Sequence, residues 1–370
     1  MIRVLTVYGE PLAHGGQESF IMNMYRNFDR SAVQLDFYTP YYCDKMLEKE
    51  INSLGGVVYQ SGFPFGENNP KCFKKGFTDF LKDHKPTICH IQSGSTYALS
   101  QGAKIAHDAG VKNIIVHSHC CGLKNLKYHV IKALSVHDFK KYPTEYFACS
   151  TIAGEWKFPK SIMESGKCKI LKNAVDTSDF YYDATVRKET RAELGLSDST
   201  LAVGHVGRFN YQKNHMFLVD IFAEVHKKQP DSKLFLTGEG ELLDDVKKKV
   251  SDLSLDDAVV FLGIRKDVFR LMNAFDVFLL PSLFEGLPVV GVESLATGLP
   301  LITSTAVTDE MPVQRLTAYL SLDDTADAWA DAVINATKAE RKSTTDEIIE
   351  AGYDVKSAAA HLQHLYEEMA

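Results

Sequence analysis

Hydrophobic and polar positions along the chain alternate between two patterns. Short runs of aliphatic and β-branched residues are separated by longer stretches in which apolar residues recur every three or four positions. The runs predict buried strands, and the longer stretches predict amphipathic helices. In the first half the strand-like runs occupy residues 2–7, 34–38, 57–60, 88–91, 114–116 and 146–149. Strands that alternate with helices in this way predict a parallel sheet covered by helices on both faces.

The same pattern starts again in the second half of the chain. Strand-like runs follow at residues 201–205, 234–237, 259–262, 277–280 and 301–303, and residues 214–228 have helical spacing. A chain of 370 residues is long enough for two hydrophobic cores. We therefore predict an α/β fold with two Rossmann-like domains facing each other across a cleft. The expected domains are residues 1–175 and 176–355, followed by a terminal helix at 356–370.

Charge and cysteine content narrow the functional class. The formal net charge is −7 at pH 7, which argues against a dedicated nucleic-acid binder with a basic stripe. Seven cysteines all lie within the first 168 residues, and no two of them have the CxxC spacing. This arrangement favours reduced thiols in a cytoplasmic protein. The first apolar run is too short for a signal sequence, and no stretch approaches the roughly 20 apolar residues of a membrane span.

A basic loop follows the strand predicted at 201–205. The segment GRFNYQKN, residues 207–214, places Arg208 and Lys213 five positions apart where a helix is about to begin. Ligands bind at the carboxyl ends of strands in open α/β sheets, and a helix N-terminus attracts anions. A guanidinium and an ammonium at this position would form a clamp for a diphosphate. The alternative is a surface loop with two solvated basic side chains.

Two glutamates follow the strand predicted at 277–280. The segment SLFEGLPVVGVESLATGLP places Glu285 near the start of a helix and Glu293 two turns further on. Carboxylates in these positions can accept hydrogen bonds from sugar and ribose hydroxyls, and the N–H groups near Val289 can face phosphate oxygens. The alternative is that Glu285 caps the helix and that Glu293 has a structural partner. A glutamate in so apolar a segment needs either a ligand or a partner within the protein.

Two segments of the first half also follow predicted strands. In VHSHCC, residues 116–121, strand alternation puts His117 and His119 on the same face, so either could point to a ligand. A metal site is an alternative there because histidine and cysteine are close together. In HGGQES, residues 14–19, Gly15 and Gly16 let the backbone approach a ligand. Glu18 is expected to cap or orient the helix.

Together these motifs resemble the family 4 retaining glycosyltransferases of GT-B fold. The resemblance includes the GRxxxxKN loop, the two glutamates separated by seven residues, and the segments KNAVD, LFLTGEGEL and VVFLGIRKDV at 172–176, 234–242 and 259–268. It covers nearly the whole chain in the same order. One departure is Ala174, where the family often has glycine, and this change bears on the linker between the domains.

The resemblance implies a donor site for a nucleotide-diphosphate sugar. Arg208 and Lys213 would neutralise the leaving diphosphate without a metal or other cofactor. His119 would contact the donor sugar, Glu285 would bind its hydroxyls, and Glu293 would bind the ribose. The remaining donor-binding residues would be Gly15, Gly16, Ile264, Arg265, Leu287 and Val289, with the backbone at 264–265 next to the base. Uracil is the commoner base in the family, so a UDP-sugar is expected.

The implied reaction retains the anomeric configuration by attack on one face of the sugar. A double displacement would need a carboxylate nucleophile, and no carboxylate in the sequence is evidently placed for attack. The sequence also contains no DxD motif, which metal-dependent transferases of the GT-A type use. The terminal helix would return to the first domain, as it does in the family. Two alternatives remain: a UDP-sugar epimerase of the same fold and a sugar-binding protein without activity.

The acceptor is implied to be a glycan or a lipid-linked glycan used in the synthesis of a cell-surface polysaccharide. Residues 124–141 combine five lysines with apolar residues at helical spacing. This pattern is typical of a helix that rests on anionic lipid, and equally of an ordinary solvated helix. We therefore expect a cytoplasmic protein, with peripheral contact at the inner face of the membrane as an open question.

Overall fold

The computed structural model describes residues 1–13, 15–66, 69–119, 126–338 and 340–370, with only the backbone described at Lys127. It divides into two compact units. The first contains Met1–Ala174 together with Val355–Ala370, and the second contains Val175–Asp354. The division lies one residue before the boundary that we expected at 175/176. Among the predicted positions, His14, Cys120, Cys121 and Lys124 lie outside the described residues.

The first unit is built on a parallel sheet of seven strands in the order β3-β2-β1-β4-β5-β6-β7. Because β1 lies between β2 and β4, the chain reverses its direction of progress across the sheet beside β1. Such a switch point is where open α/β sheets bind ligands. The strands are β1 (Ile2–Tyr8), β2 (Val33–Thr39), β3 (Val58–Gln60), β4 (Ile88–Gln92), β5 (Asn113–Ser118), β6 (Glu145–Ala148) and β7 (Cys168–Ile170).

Helices cover both faces of this sheet. The N-terminal part of the chain contributes α1 (Gly16–Arg26), α2 (Lys45–Ser53), α3 (Asn69–Asp83), α4 (Thr96–Asp108), α5 (Leu126–Lys141), α6 (Thr151–Lys157) and α7 (Lys160–Glu164). The last helix of the chain, α15 (Val355–Met369), joins them. Its Leu362 and Tyr366 are almost fully buried in the same core as Val4 of β1 and Ile21 of α1. The terminal helix therefore belongs to the hydrophobic core of the first unit.

The second unit repeats the design with a parallel sheet of six strands in the order β10-β9-β8-β11-β12-β13. Its switch point lies between β8 and β11. The strands are β8 (Leu201–Val206), β9 (Ser232–Thr237), β10 (Val259–Gly263), β11 (Val277–Leu280), β12 (Leu301–Ser304) and β13 (Thr317–Leu320). The helices are α8 (Ala184–Glu193), α9 (His215–Lys228), α10 (Leu243–Asp252), α11 (Val268–Ala274), α12 (Val289–Ala296), α13 (Ala326–Ala336) and α14 (Thr345–Glu350), with one 3-10 turn at Gln314–Leu316.

Two parallel sheets with helices on their faces confirm the predicted α/β class. The sequence pattern missed β7 and β13, which are short strands at sheet edges and whose residues are mostly half-buried. Such strands lack the fully apolar run that marks a central parallel strand. In the described part of the chain, no helix combines the length and the apolar character that crossing a membrane requires.

Candidate active site

The loops that follow β8, β9 and β10 are held together by backbone hydrogen bonds. Gly207 N donates to Thr237 O at 3.0 Å, and Gly238 N donates to Gly263 O at 2.8 Å. Gly238 has a φ of +134°, and a Cβ at this position would lie 2.1 Å from Gly207 O. Only glycine fits there. The tight packing fixes the backbone from which the GRFNYQKN loop begins.

Lys213 and Glu285 meet at the switch point of the second sheet. Lys213 follows β8 and Glu285 follows β11, and the Lys213 Nζ to Glu285 Oε1 distance is 2.6 Å. The side chains are only 15% and 10% exposed. Gln212 Nε2 donates to the other carboxylate oxygen at 2.9 Å, and Ser282 Oγ donates to Oε1 at 3.2 Å. The motifs predicted both charged residues, but not that they bind each other, and Gln212 and Ser282 were missed.

A left-handed residue holds this arrangement in place. Asn214 precedes α9 with a φ of 56°, and its side chain donates to Pro281 O at 3.2 Å. Asparagine tolerates this conformation better than most residues. The bond ties the end of the basic loop to the start of the loop that carries Glu285. The cap residue of α12 is Pro288, so Glu285 does not have the capping role that was its structural alternative.

The other predicted cation, Arg208, has a different environment. Its side chain is 71% exposed and forms an ion pair with Glu241 at 3.2 Å. An exposed pair of this kind contributes at most about 1 kcal/mol. Arg208 is therefore easily available to an anionic ligand, whereas Lys213 must leave a mostly buried carboxylate.

Two histidines that no motif predicted pack behind Lys213. His205 Nδ1 donates to Leu279 O at 2.8 Å, and the ring of His215 stacks on Phe209 with a centroid distance of 4.1 Å. Burial, together with the Lys213 charge, lowers the pKa of His215 to about 4, and burial also keeps the pKa of His205 well below its usual value. Both rings are therefore neutral at pH 7, so neither histidine adds a positive charge next to Lys213.

The helix α12 carries the remaining predicted donor residues of this loop. It begins at Val289, after the buried Leu287 and the cap residue Pro288. Glu293 lies in its second turn, and burial raises the pKa of its carboxyl to about 7. No described residue donates a hydrogen bond to this carboxylate. The structural partner that was the alternative explanation for Glu293 is thus missing from the described part of the chain.

Ile264 and Arg265 directly follow β10, at the same edge of the second sheet. Ile264 is 70% exposed. The Arg265 guanidinium binds both carboxylate oxygens of Asp267, at 2.8 and 2.6 Å. In the described structure, the Arg265 guanidinium is paired with Asp267 and not with Glu285.

In the first unit, His119 ends a row of three histidines. His90 Nδ1 is 2.6 Å from Tyr366 Oη, and His90 Nε2 is 3.0 Å from His117 Nδ1. The rings of His117 and His119 lie against each other at a tilt of 32° with a centroid distance of 3.9 Å, and His119 Nε2 donates to Gln92 Oε1 at 2.9 Å. His117 is fully buried and contacts His90, whereas His119 is partly exposed, which favours His119 as the one that faces a ligand. No motif predicted His90 or Tyr366.

The hydrogen bonds determine which nitrogen of His119 carries the proton. An amide oxygen only accepts, so Nε2 is the donor and Nδ1 holds a lone pair. Burial lowers the pKa of His119 to about 3, which keeps the ring neutral. Among the described residues, no group of three or more histidines, cysteines and acidic residues is placed to hold a metal ion. Five of the seven cysteines are described, and all five are free thiols.

The glycine loop leads directly into α1. Gly15 is the cap residue and Gly16 the first helical residue, and both are exposed. Neither has a side chain that could cover the first N–H groups of the helix. Glu18 lies in the first turn, and its Oε2 is 2.6 Å from where a Cβ of Gly15 would be. Burial raises the pKa of Glu18 to about 7.

Comparison with known proteins decides the family. Residues 200–338 match the model of the glycosyl transferases group 1. The chain is also 31% identical over 363 residues to the putative glycosyltransferase EpsF of Bacillus subtilis, with 95% of this chain and 93% of that protein covered. The chain belongs to the group 1 glycosyltransferases. The matched segment of this glycosyltransferase includes Arg208, Lys213, Glu285 and Glu293.

Two further similarities extend this result. The glycosyltransferase is 29% identical over 234 residues to an Escherichia coli enzyme named UDP-Gal:alpha-D-GlcNAc-diphosphoundecaprenol alpha-1,3-galactosyltransferase, covering 60% of this chain and 59% of that one. Its fold is similar to the crystal structure of Anabaena HepE in complex with UDP, with a TM-score of 0.77, 16% identity and coverage of 99% and 100%. The GT-B fold that the motifs predicted is thereby confirmed.

Proposed function

We propose that this glycosyltransferase transfers a hexose from a UDP-sugar to a glycan or lipid-linked glycan, with retention of configuration and without a metal ion. The observation that carries the proposal is the buried Lys213–Glu285 pair at the switch point of the second sheet, beside the helix that bears Glu293. The UDP and UDP-glucose complexes of HepE, and the substrates in the name of the E. coli relative, support the choice of donor and acceptor.

The Lys213–Glu285 ion pair could be replaced by contacts with the donor when the donor binds. Without ligand, the Lys213 ammonium is neutralised by Glu285. Sugar hydroxyls that donate to Glu285 would weaken this bond and leave the ammonium available to the diphosphate. Arg208, which is exposed, would add a second cation. The free N–H groups at the start of α12 would add hydrogen-bond donors for the diphosphate. These groups stabilise the charge that develops on the leaving UDP.

Glu293 is suited to the ribose because its carboxylate has no donor in the described structure. Two ribose hydroxyls would supply the missing hydrogen bonds, and hydrogen bonds to the ionised form lower a carboxyl pKa. Binding of the donor would therefore release a proton from Glu293 at neutral pH. The backbone at Ile264 and Arg265 is proposed to contact the base.

For the chemical step, we propose attack on the face of the sugar that the diphosphate leaves. The bond between the anomeric carbon and the diphosphate oxygen breaks, and the acceptor oxygen bonds to the same carbon. The acceptor proton passes to the leaving phosphate oxygen. His119 is a neutral ring, and we propose that its Nδ1 lone pair accepts a hydrogen bond from a hydroxyl of the transferred sugar.

The acceptor is proposed to be presented at the inner face of a membrane. Residues 69–141 contain twelve lysines and four aspartates, a net charge of +8 in a chain whose total is −7. On α5, Leu126, Val130 and Leu134 are 80%, 49% and 76% exposed at a spacing of four residues, which places them on one face. An exposed apolar face flanked by Lys140 and Lys141 suits anionic lipid better than bulk water.

A ligand panel tests the donor proposal. Thermal unfolding of the purified protein would be followed with UDP, GDP, ADP and their sugar conjugates, each in the presence of EDTA. A ligand that binds only the folded state raises the midpoint. We expect a rise with the uridine compounds that is lost in Arg208→Ala and kept in Lys248→Ala, an exposed lysine on α10. No rise with any nucleotide would refute the donor site, and UDP release from UDP-sugar that needs no acceptor would favour the epimerase.

A further inference from the structure

Resting on the proposed glycosyl transfer, we infer that His205 is a positioning residue for Lys213. Its ring accepts a hydrogen bond from the Lys213 ammonium when Glu285 turns to the hydroxyls of the donor sugar. The ammonium is thereby kept in the direction of the diphosphate. His205 lies in β8, before the GRFNYQKN loop, and no sequence motif includes it.

The neighbours of His205 fix both the orientation of its ring and the place of its proton. The side chain is fully buried, and the ring stacks on Phe278 with a centroid distance of 6.0 Å. Nδ1 lies 2.8 Å from Leu279 O of the adjacent strand β11. A carbonyl oxygen only accepts, so Nδ1 carries the proton and Nε2 holds a lone pair. Nε2 is therefore an acceptor with a fixed direction.

This acceptor has no hydrogen-bond partner within the described structure. A buried acceptor without a donor is unfavourable because it has lost its hydrogen bonds to water. A diphosphate at neutral pH only accepts hydrogen bonds, so it cannot supply the donor. Because His205 is fully buried, we infer that the donor belongs to the protein rather than to the sugar.

Gly207 lets the side chain of Lys213 come close to this acceptor. A Cβ added at Gly207 would lie 2.9 Å from His205 Nε2 and 3.3 Å from Lys213 Cε. Both side chains thus come within 3.3 Å of one point above the Gly207 backbone, and the ammonium is one bond beyond Cε. Gly207 does not have a positive φ. Its backbone conformation therefore does not require glycine, whereas the space between the two side chains does.

Glu285 and His205 would act on the ammonium in different ways. An ammonium has three N–H donors, and in the structure Lys213 donates to Glu285 Oε1 at 2.6 Å. A carboxylate neutralises the charge that it holds. A neutral imidazole orients the ammonium and leaves its full charge for the diphosphate. A change of acceptor from Glu285 to His205 would therefore turn a neutralised cation into one that stabilises the leaving group.

Two amide variants of His205 separate positioning from structural support. The side-chain nitrogen of an asparagine reaches as far as Nδ1, so His205→Asn can keep the bond to Leu279 O but has no group in the place of Nε2. The side-chain oxygen of a glutamine reaches as far as Nε2, so His205→Gln keeps an acceptor for Lys213 but loses the bond to Leu279 O. Both variants lack the ring, so the loss of packing is shared.

The two variants should therefore differ in opposite directions in activity and in stability. We expect His205→Asn to lower kcat with the UDP-sugar roughly tenfold, the typical contribution of a hydrogen bond to a charged group, and His205→Gln to stay within about threefold of the wild type. The midpoint of thermal unfolding should be lower for the glutamine variant than for the asparagine variant. His226→Asn, whose Nδ1 contacts Ser232 Oγ near the far end of α9, is the matched control and should leave kcat unchanged.

A double-mutant cycle tests whether His205 acts through Lys213. Positioning needs the ammonium, so His205→Asn should change kcat by less than about twofold when Lys213→Ala is already present. Equal fold-losses in the two backgrounds would overturn the inference and indicate that water satisfies Nε2. A loss in the glutamine variant at least as large as in the asparagine variant would overturn it as well.

The UDP-dependent thermal shift of the wild type is a separate readout. If the shift is present and the losses from His205→Asn and Lys213→Ala are simply multiplied, the positioning role alone is refuted. If the shift is absent, the donor site on which the role rests is refuted with it.

Discussion

At the switch point of the second sheet, between β8 and β11, the polar side chains are charged and bonded to one another. Lys213 and Glu285 form an ion pair, and Gln212 and Ser282 complete the carboxylate. At the switch point of the first sheet, between β1 and β4, the polar groups are mostly neutral, and several lack partners in the described structure. The same topology therefore supports two kinds of recognition. We propose that the first kind exchanges an internal ion pair for a diphosphate and that the second offers hydrogen bonds to hydroxyls.

The largest expected effect comes from removing a charged side chain at the switch point of the second sheet. Lys213→Ala removes the cation that is proposed to stabilise the leaving diphosphate, and we expect kcat to fall about 10²–10³-fold. Steady-state turnover of the UDP-sugar measures this, with Lys248→Ala as the matched control. Because the variant leaves Glu285 buried without its cation, circular dichroism must first show that it is folded. Turnover within a factor of three of the wild type would refute the clamp.

The variant His119→Ala tests the uncharged polar groups at the switch point of the first sheet. Loss of the Nδ1 acceptor should lower kcat/KM about 10²-fold, while the affinity for UDP, which we propose that the second unit binds, should stay unchanged. Isothermal calorimetry with UDP and a kinetic assay with UDP-sugar separate these two quantities. The exposed His107→Ala is the control. A parallel loss of UDP affinity would contradict the assignment of His119 to the sugar.

A pH titration tests the role of the half-buried carboxyl of Glu293. The folded pKa of Glu293 is about 7, raised by burial, and donor hydroxyls should lower it. Binding of UDP-glucose, whose diphosphate does not titrate in this range, should strengthen about tenfold from pH 6 to pH 8. Calorimetry at several pH values measures this increase. Glu293→Gln should flatten the profile, and an unchanged slope in that variant would rule out the assignment.

The same pKa has a consequence for stability. The folded pKa lies above the unfolded value, so the free energy of unfolding should fall as pH rises from about 4.5 to 7. Relative to Glu293→Gln, the wild type should lose roughly 3 kcal/mol over this window. Urea unfolding of both proteins at each pH measures the difference.

The smallest expected effect concerns the row of histidines. Tyr366→Phe removes the hydroxyl that contacts His90 and should lower the free energy of unfolding by about 1 kcal/mol. If the row also orients His119, kcat should fall a few-fold while KM for the donor stays constant. Urea unfolding and steady-state kinetics measure the two effects. A change in KM alone would contradict a positioning role.

The sequence predicted the elements that carry a strong local pattern. Central strands such as β1 and β8, and the helix α9, have apolar runs or helical spacing that tertiary structure does not override. The edge strands β7 and β13 were missed because half-buried edges carry no such run. Motif spacing pointed to the charged residues of the second unit and to Gly15 and Gly16 of the first, because the residues of each strand-end loop are contiguous in sequence.

Contacts between distant residues could not be predicted in the same way. Tyr366 and His90 are 276 residues apart, and nothing in either local segment indicates the bond. Lys213 and Glu285 were both predicted, but their pairing depends on β8 lying next to β11. Strand order is a global property of the chain, so single motifs do not contain it.

The central claim is that Glu285 binds the sugar while Lys213 binds the diphosphate. Calorimetry with UDP and with UDP-glucose, in EDTA, on the wild type, Lys213→Ala and Glu285→Gln tests it directly. We predict that Lys213→Ala weakens both ligands at least tenfold, and that Glu285→Gln weakens UDP-glucose about tenfold while UDP binds as well as before or better. Equal losses for both ligands in Glu285→Gln would contradict the account.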